Sequence, residues 1–151
     1  MTIEDRLKEL QITLPEVAVA GNYLPALRVG NLLYVSGQLP KVEGKVAYTG
    51  RVGKDLTLES ARRAAKACLI NILAVVKQEL GSLDKVKKIV RLGGFITSYP
   101  GFHDQAKVMD AASDLLVELF GESGKHARAT VGVVELPLGA AVEIEMLAEV
   151  K

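Results

Sequence analysis

A chain of 151 residues carries 19 Lys and Arg against 18 Asp and Glu, a formal net charge of +1, and so presents no electrostatic footprint for nucleic acid or an anionic membrane. A hydrophobic fraction of 49% and a charged fraction of 25% are those of an ordinary globular protein, and this length predicts one domain, residues 1–151, with a substantial core. The lone cysteine, Cys68, excludes an internal disulfide and points to a reducing, cytoplasmic setting.

Met1–Gln11 reads as a short charged helix rather than a signal peptide. Thr2 is a candidate cap, Glu4 and Asp5 fall in the first turn, and no apolar run follows. No window approaches the ~18 apolar residues of a membrane span. The absence of Trp and an aromatic content of 5% count against a base-stacking surface. Pro15 ends the helix, and Glu16–Ala20 is a candidate strand. Gly21-Asn22 signals a turn, and Pro25 keeps Leu24 extended.

Two short apolar runs, Leu27–Val29 and Leu32–Ser36, flank Gly30-Asn31, which predicts a β-hairpin with a two-residue turn closed by Gly37. Residues 40–53, rich in Gly and charge, read as a surface loop with a possible strand at Lys45–Tyr48. Residues 57–80 are the clearest helix. Thr57 is the expected N-cap and Gly81 the expected C-terminal stop, and Leu58, Ala61, Ala65, Cys68, Leu69, Ile72, Val76 and Leu80 recur at helical spacing.

Val86–Thr97 is a strand, and its Gly93-Gly94 pair predicts a bulge or a close approach by another part of the chain. A second helix is expected from about Phe102 to Phe120, with Phe102, Ala106, Met109, Leu116 and Phe120 on its buried face. Glu122–Lys125 reads as a loop. Two strands close the chain, His126–Leu136 and Ala141–Val150, separated by Pro137 and a Gly139 turn.

Strands, helix, strand, helix and two strands make an α+β domain with two helices on one face of a sheet. Val142, Ile144, Met146, Ala148 and Val150 suit packing beneath the helices. Between Ala129 and Val134 both faces are apolar, so both are expected to be covered, one of them by a partner subunit. The chain is thus expected to form a homo-oligomer.

Strong chemical motifs are few. His103 and His126 have no Cys or Glu at metal-ligand spacing, and His103 reads as a solvated first-turn residue. Cys68 lies on the apolar helix face and reads as a structural thiol. The glycines follow no phosphate-binding spacing, and no serine sits in a nucleophile elbow. Two charges built into strands remain. Arg128 is either a structural charge or a two-pronged carboxylate clamp. Glu143 is either a sheet-face charge or an acid/base that handles a water. If the last two strands formed a simple hairpin, Arg128 would oppose Glu149 or Val150, about 20 Å from Glu143 at ~3.3 Å per residue. For the two to share a ligand, either the strands are not neighbours or the site joins two subunits.

Arg128-Ala-Thr-Val-Gly-Val-Val-Glu-Leu-Pro137 followed by Val142-Glu-Ile-Glu145 resembles the C-terminal signature of the Rid (YjgF) family of enamine/imine deaminases, some of which carry an older endoribonuclease label. Tyr23, the Gly30-Asn31 hairpin, Ser36-Gly37-Gln38-Leu39-Pro40 and Asn71 fall in the order the family shows. The resemblance implies a chorismate-mutase-like fold, a homotrimer with clefts between subunits, and hydrolysis of 2-imino or 2-enamino acids to 2-keto acids and ammonia without metal or organic cofactor. It also implies that Arg128 holds the substrate carboxylate and Glu143 activates the water. Tyr23 would wall the cleft, the backbone at Gly37 would contact the substrate, and Thr130 would stand where deaminases often have Cys. His126, in a longer approach to the arginine, could line the cleft. The same cleft could instead serve a non-catalytic module that senses a small carboxylate. Ribonuclease activity is disfavoured by the neutral charge and the missing aromatic stripe.

Overall fold

The computed structural model describes residues 1–17 and 21–151. Thr2 caps the first helix, α1 (Ile3–Glu9), through a capping box with Asp5. The expected strand at 16–20 is absent at Glu16 and Val17, and residues 18–20 lie outside the described residues. Ala26–Val29 (β1) and Leu32–Gln38 (β2) form the predicted hairpin, with Val29 facing Leu32 across the two-residue turn. Gly30 takes φ +59 there, which suits a residue without Cβ. The strand runs one residue past Gly37. Within 40–53 lies a small second hairpin, Lys41–Val42 (β3) with Lys45–Val46 (β4).

Helix α2 spans Leu58–Leu80 between the expected stops. The Thr57 hydroxyl accepts from the Ser60 N–H at 3.1 Å, and Gly81 takes the left-handed conformation that ends the helix. Strand β5 (Val86–Thr97), helix α3 (Gln105–Phe120), strand β6 (Ala127–Val133) and strand β7 (Val142–Val150) complete the chain. Short 3₁₀ turns occupy Leu83–Lys85, Gly121–Gly124 and Pro137–Gly139, the second where a loop was expected.

The main sheet has the order β1-β2-β7-β5-β6. Here the closing strands depart from a simple hairpin. β5 lies between them, antiparallel to β7 and parallel to β6. A parallel neighbour requires a crossover, and α3 supplies it.

Both long helices lie on one face of the sheet. Ala61, Ala64, Cys68, Leu69, Ile72 and Val76 of α2 are buried against Val142, Ile144, Met146 and Ala148 of β7 and Leu33 and Val35 of β2. The buried face of α3 is Val108, Met109, Ala112, Leu115, Leu116 and Leu119. It is rotated from the expected one, because the helix starts after Asp104 and Phe102 packs from the loop before it. Ala106 is exposed. On β5 the alternation slips, since register shifts between Val86 and Lys88 and between Ile89 and Arg91 carry Val86, Ile89 and Leu92 all to the helix side.

Among the described residues no helix is long and apolar enough to cross a membrane. The sheet's other face is open. Leu27, Val29, Tyr34 and Val131 stand there 54%, 58%, 47% and 48% exposed, with Ala127 and Ala129 exposed beside them. Among the described residues nothing covers this face.

The glycine pair on β5 is a close approach and not a bulge. A Cβ on Gly94 would meet three side-chain atoms of fully buried Met109 within 2.5–2.7 Å, and one on Gly93 would press on Glu145. Gly94→Ala should therefore lift α3 from the sheet and lower unfolding stability by about 1–3 kcal/mol, read as a lower urea midpoint at unchanged slope.

Candidate active site

One cavity of about 370 Å³ is lined by Tyr23, Gly37, Leu39, Asn71, Leu138 and Glu143, among others. Its walls follow from local chain geometry. Pairing of β2 with β7 shifts register between Val35 and Gln38, which turns the end of β2 away from the sheet. The Asn71 side-chain amide, on α2, donates to the carbonyls of Leu39 and Lys41 at 3.0 and 3.1 Å and holds that departing segment against the helix. At the rim, Leu138 takes φ +58 with its side chain 72% exposed. A left-handed backbone at a non-glycine residue stores strain of about 1 kcal/mol or more.

Glu143 lies against Gly37. A Cβ at position 37 would sit 2.9 Å from Glu143 Oε2, so glycine there is a spatial requirement of the carboxylate. Burial pushes the Glu143 carboxyl above the ordinary glutamate range, and the nearby Glu145 adds to the shift. Among the described residues no cation pairs with it. Beneath it, the Cys68 thiol is fully buried and contacts the Val142 carbonyl at 3.5 Å. Burial, and secondarily Glu143, raise its pKa well above the usual thiol value, which makes it inert as a nucleophile.

A second polar group forms where β6 meets α3. Arg128 Nη1 donates to Asp110 Oδ1 at 2.9 Å and to Ser113 Oγ at 3.0 Å, and Nη2 donates to the Ala106 carbonyl at 3.3 Å. His126 Nε2 lies 2.8 Å from Ser113 Oγ, and Nδ1 lies 2.6 Å from the Gly124 carbonyl. Thr130 shares a strand face with Arg128, and its buried hydroxyl has no hydrogen-bond partner among the described residues.

The two groups do not meet within one chain. Arg128 pairs with Leu92 on the helix-covered face of the sheet, whereas Glu143 pairs with Phe95 on the other face. Leu92 in turn pairs with Met146, three residues from Glu143. Two strand spacings and three residue rises separate the backbones by about 14 Å. Tyr23, Gly37 and Glu143 thus gather in one place, and Arg128, Thr130 and His126 in another. Asp110 and Ser113 escaped the sequence reading. Their one signal is a three-residue spacing on the polar side of α3. No group of three or more His, Cys, Asp or Glu among the described residues could hold a metal ion.

Residues 4–150 match the family described as "YjgF/chorismate_mutase-like, putative endoribonuclease". The chain belongs to this family. Protein TCP17 of Trypanosoma cruzi is 44% identical over 145 residues, which cover 95% of this chain and 91% of TCP17. The 2-iminobutanoate/2-iminopropanoate deaminase of Dermatophagoides farinae is 34% identical over 128 residues, 84% of each chain. A solved structure from Agrobacterium tumefaciens, a protein of unknown function, superposes with a TM-score of 0.94 at 50% identity, over 99% of this chain and 94% of that one. The resemblance read from the sequence and the α+β, chorismate-mutase-like fold it implied are those of the YjgF-like family.

A carboxyl with raised pKa binds a proton more tightly when folded than unfolded. Its burial therefore costs stability as pH rises from the ordinary glutamate range through the folded value. Glu143→Gln should raise the urea midpoint at pH 7, and the gain should vanish as pH falls below the ordinary glutamate value of 4.5, where both states become protonated.

Proposed function

We propose that this protein hydrolyses 2-imino or 2-enamino acids to 2-keto acids and ammonia, in a cleft that two subunits complete. The observation that carries this reading is Glu143, a half-buried carboxyl of raised proton affinity with no cation beside it among the described residues, facing a cavity walled by Tyr23 and Gly37. Such a group holds a proton more readily than an ordinary glutamate and is suited to exchanging one with a water. Support also comes from the 34% identity to a 2-iminobutanoate/2-iminopropanoate deaminase.

The reaction is R–C(=NH)–COO⁻ + H₂O → R–CO–COO⁻ + NH₃. Glu143 takes a proton from water as its oxygen attacks the imine carbon. The tetrahedral aminoalcohol forms, and the same proton passes to nitrogen. Glu143 then takes the hydroxyl proton of that aminoalcohol and passes it to the same nitrogen as the C=O bond forms and the C–N bond breaks, and ammonia leaves. The Arg128 of a neighbouring subunit, with Thr130 beside it, holds the substrate carboxylate, and the Gly37 backbone borders the reacting group. Pairing across subunits is supported by the sheet, which puts Arg128 and Glu143 on opposite faces of one chain. The open face carrying Leu27, Val29, Tyr34 and Val131 is the apolar surface that assembly would cover, with a homotrimer as the closed arrangement we favour.

A second reading, a non-catalytic module that senses a small carboxylate in the same cleft, draws support from the ion pair that already engages Arg128.

With 2-iminobutanoate generated by a coupled enzyme, the wild type should accelerate release of 2-oxobutanoate. Glu143→Gln should lower kcat by roughly 10²–10⁴-fold, and Arg128→Ala should raise KM roughly tenfold to a hundredfold. Absence of wild-type turnover, with 2-oxobutanoate still bound, would leave the sensing module. Location is read separately. After subunit exchange between these two impaired variants, assayed at substrate well below KM, random assembly regenerates about one intact cleft in four, so activity should rise to about that fraction of the wild type. No recovery despite proven exchange would place both residues in the same chain's site.

A further inference from the structure

The Arg128 guanidinium is not an open cation. Three of its five N–H groups are engaged by α3, through Asp110, Ser113 and the Ala106 carbonyl. Among the described residues nothing accepts from Nε–H or from the second Nη2–H. Those two protons are what remains for a ligand.

The support behind Arg128 is fixed in direction. The Gly124 carbonyl can only accept, so the 2.6 Å contact requires the proton on His126 Nδ1. In the imidazole tautomer that this contact selects, Nε2 is the acceptor and the Ser113 hydroxyl, 2.8 Å away, is the donor. With its proton committed there, Ser113 Oγ is an acceptor toward Arg128. Arg128 donates to Ser113, Ser113 to His126, and His126 to the Gly124 carbonyl, where the chain ends. Ala106, Asp110 and Ser113 follow at spacings of four and three on one side of α3. The side chain of Arg128 is 21% exposed and that of Asp110 is 49% exposed, so the cluster borders solvent where a ligand could reach it.

We infer that Asp110 is a positioning residue of the carboxylate clamp: with Ser113 and His126 behind it, it turns a two-proton edge of Arg128 outward and sets how strongly that edge holds an anion. The inference rests on the reading of Arg128 as the clamp. Asp110 acts in two opposed ways. As an acceptor it holds the guanidinium still, so less freedom is lost when a carboxylate docks. As an anion roughly 6 Å from the incoming carboxylate, it weakens that docking about threefold to tenfold at near-aqueous screening. A site tuned in this way binds monocarboxylates modestly and releases the product acid readily.

Asp110→Asn separates the two effects, because it keeps an acceptor oxygen for Nη1 and removes the charge. Titration calorimetry with 2-oxobutanoate should show Kd falling about threefold to tenfold in Asp110→Asn, and KM for the imine should fall in step with kcat within about twofold. Asp110→Ala, which also removes the acceptor, should bind more weakly than Asp110→Asn, so that Asn rescues what Ala loses. A purely structural ion pair predicts lower melting temperatures in both variants with Kd unchanged, and that result overturns the inference. If Asp110→Ala does not fold, the sign of the Asp110→Asn change decides alone. Wild-type turnover without Asp110 dependence sinks this inference and leaves the hydrolase reading standing. Asp110-dependent binding without turnover sinks the hydrolase reading and upholds the clamp. No wild-type binding sinks the clamp and this inference together.

Discussion

Strand β5 has β7 on one edge and β6 on the other, and the placement of Arg128 and Glu143 follows from that pairing. β6 runs parallel to β5, so the chain must cross over between them, and α3 makes the crossing. Side chains alternate along a strand, and the parallel register sets Arg128 beside Leu92 and under α3. The antiparallel register on the other edge sets Glu143 beside Phe95, away from the helices. A shift of one residue in either ladder would reverse these assignments. The packed helix face prevents it: Leu92, Ile96, Val142 and Ile144 are fully buried and would become exposed.

The two polar groups differ in electrostatics. Glu143 has lost much of its water, has Glu145 as an anionic neighbour and is held nearer to neutrality than an ordinary glutamate. Arg128 is balanced by Asp110 and backed by Ser113 and His126. A carboxyl that protonates easily suits proton transfer, and a guanidinium with a fixed edge suits recognition of a planar anion. Neither group supplies both properties. The distribution of apolar surface points the same way, since the open sheet face carries large side chains that a lone chain leaves in water. Burying them is worth about 25 cal/mol per Å².

Local signals were strong where one element decided its own form. α2 has a cap residue, a 3–4 residue apolar repeat and a glycine stop, and it forms between those marks. The β1–β2 turn needs a positive φ, and Gly30 provides it. The reading weakened where two elements had to agree. Phe102 looked like the first core residue of α3 but packs ahead of the helix, and the buried face begins at Val108. Strict alternation along β5 would keep one phase throughout, whereas two register shifts change it midway. Glu122–Lys125 gave no periodicity, yet Gly121–Gly124 forms a tight turn whose last carbonyl fixes His126.

By itself the sequence determined the α+β class, the bounds of α2, the first hairpin and the identity of Arg128 and Glu143 as unusual positions, while Tyr23 and Gly37 entered through the family resemblance. These depend on short-range rules: periodicity, turn chemistry and charge placed inside a strand. Only the tertiary structure decided that Arg128 and Glu143 point to opposite faces, that Asp110 and Ser113 stand behind the arginine, and that Gly37 is small because a carboxylate occupies its Cβ position. Each of these joins residues far apart in the chain. Which side chains meet is set by strand order and register, and those are settled by packing the whole core at once.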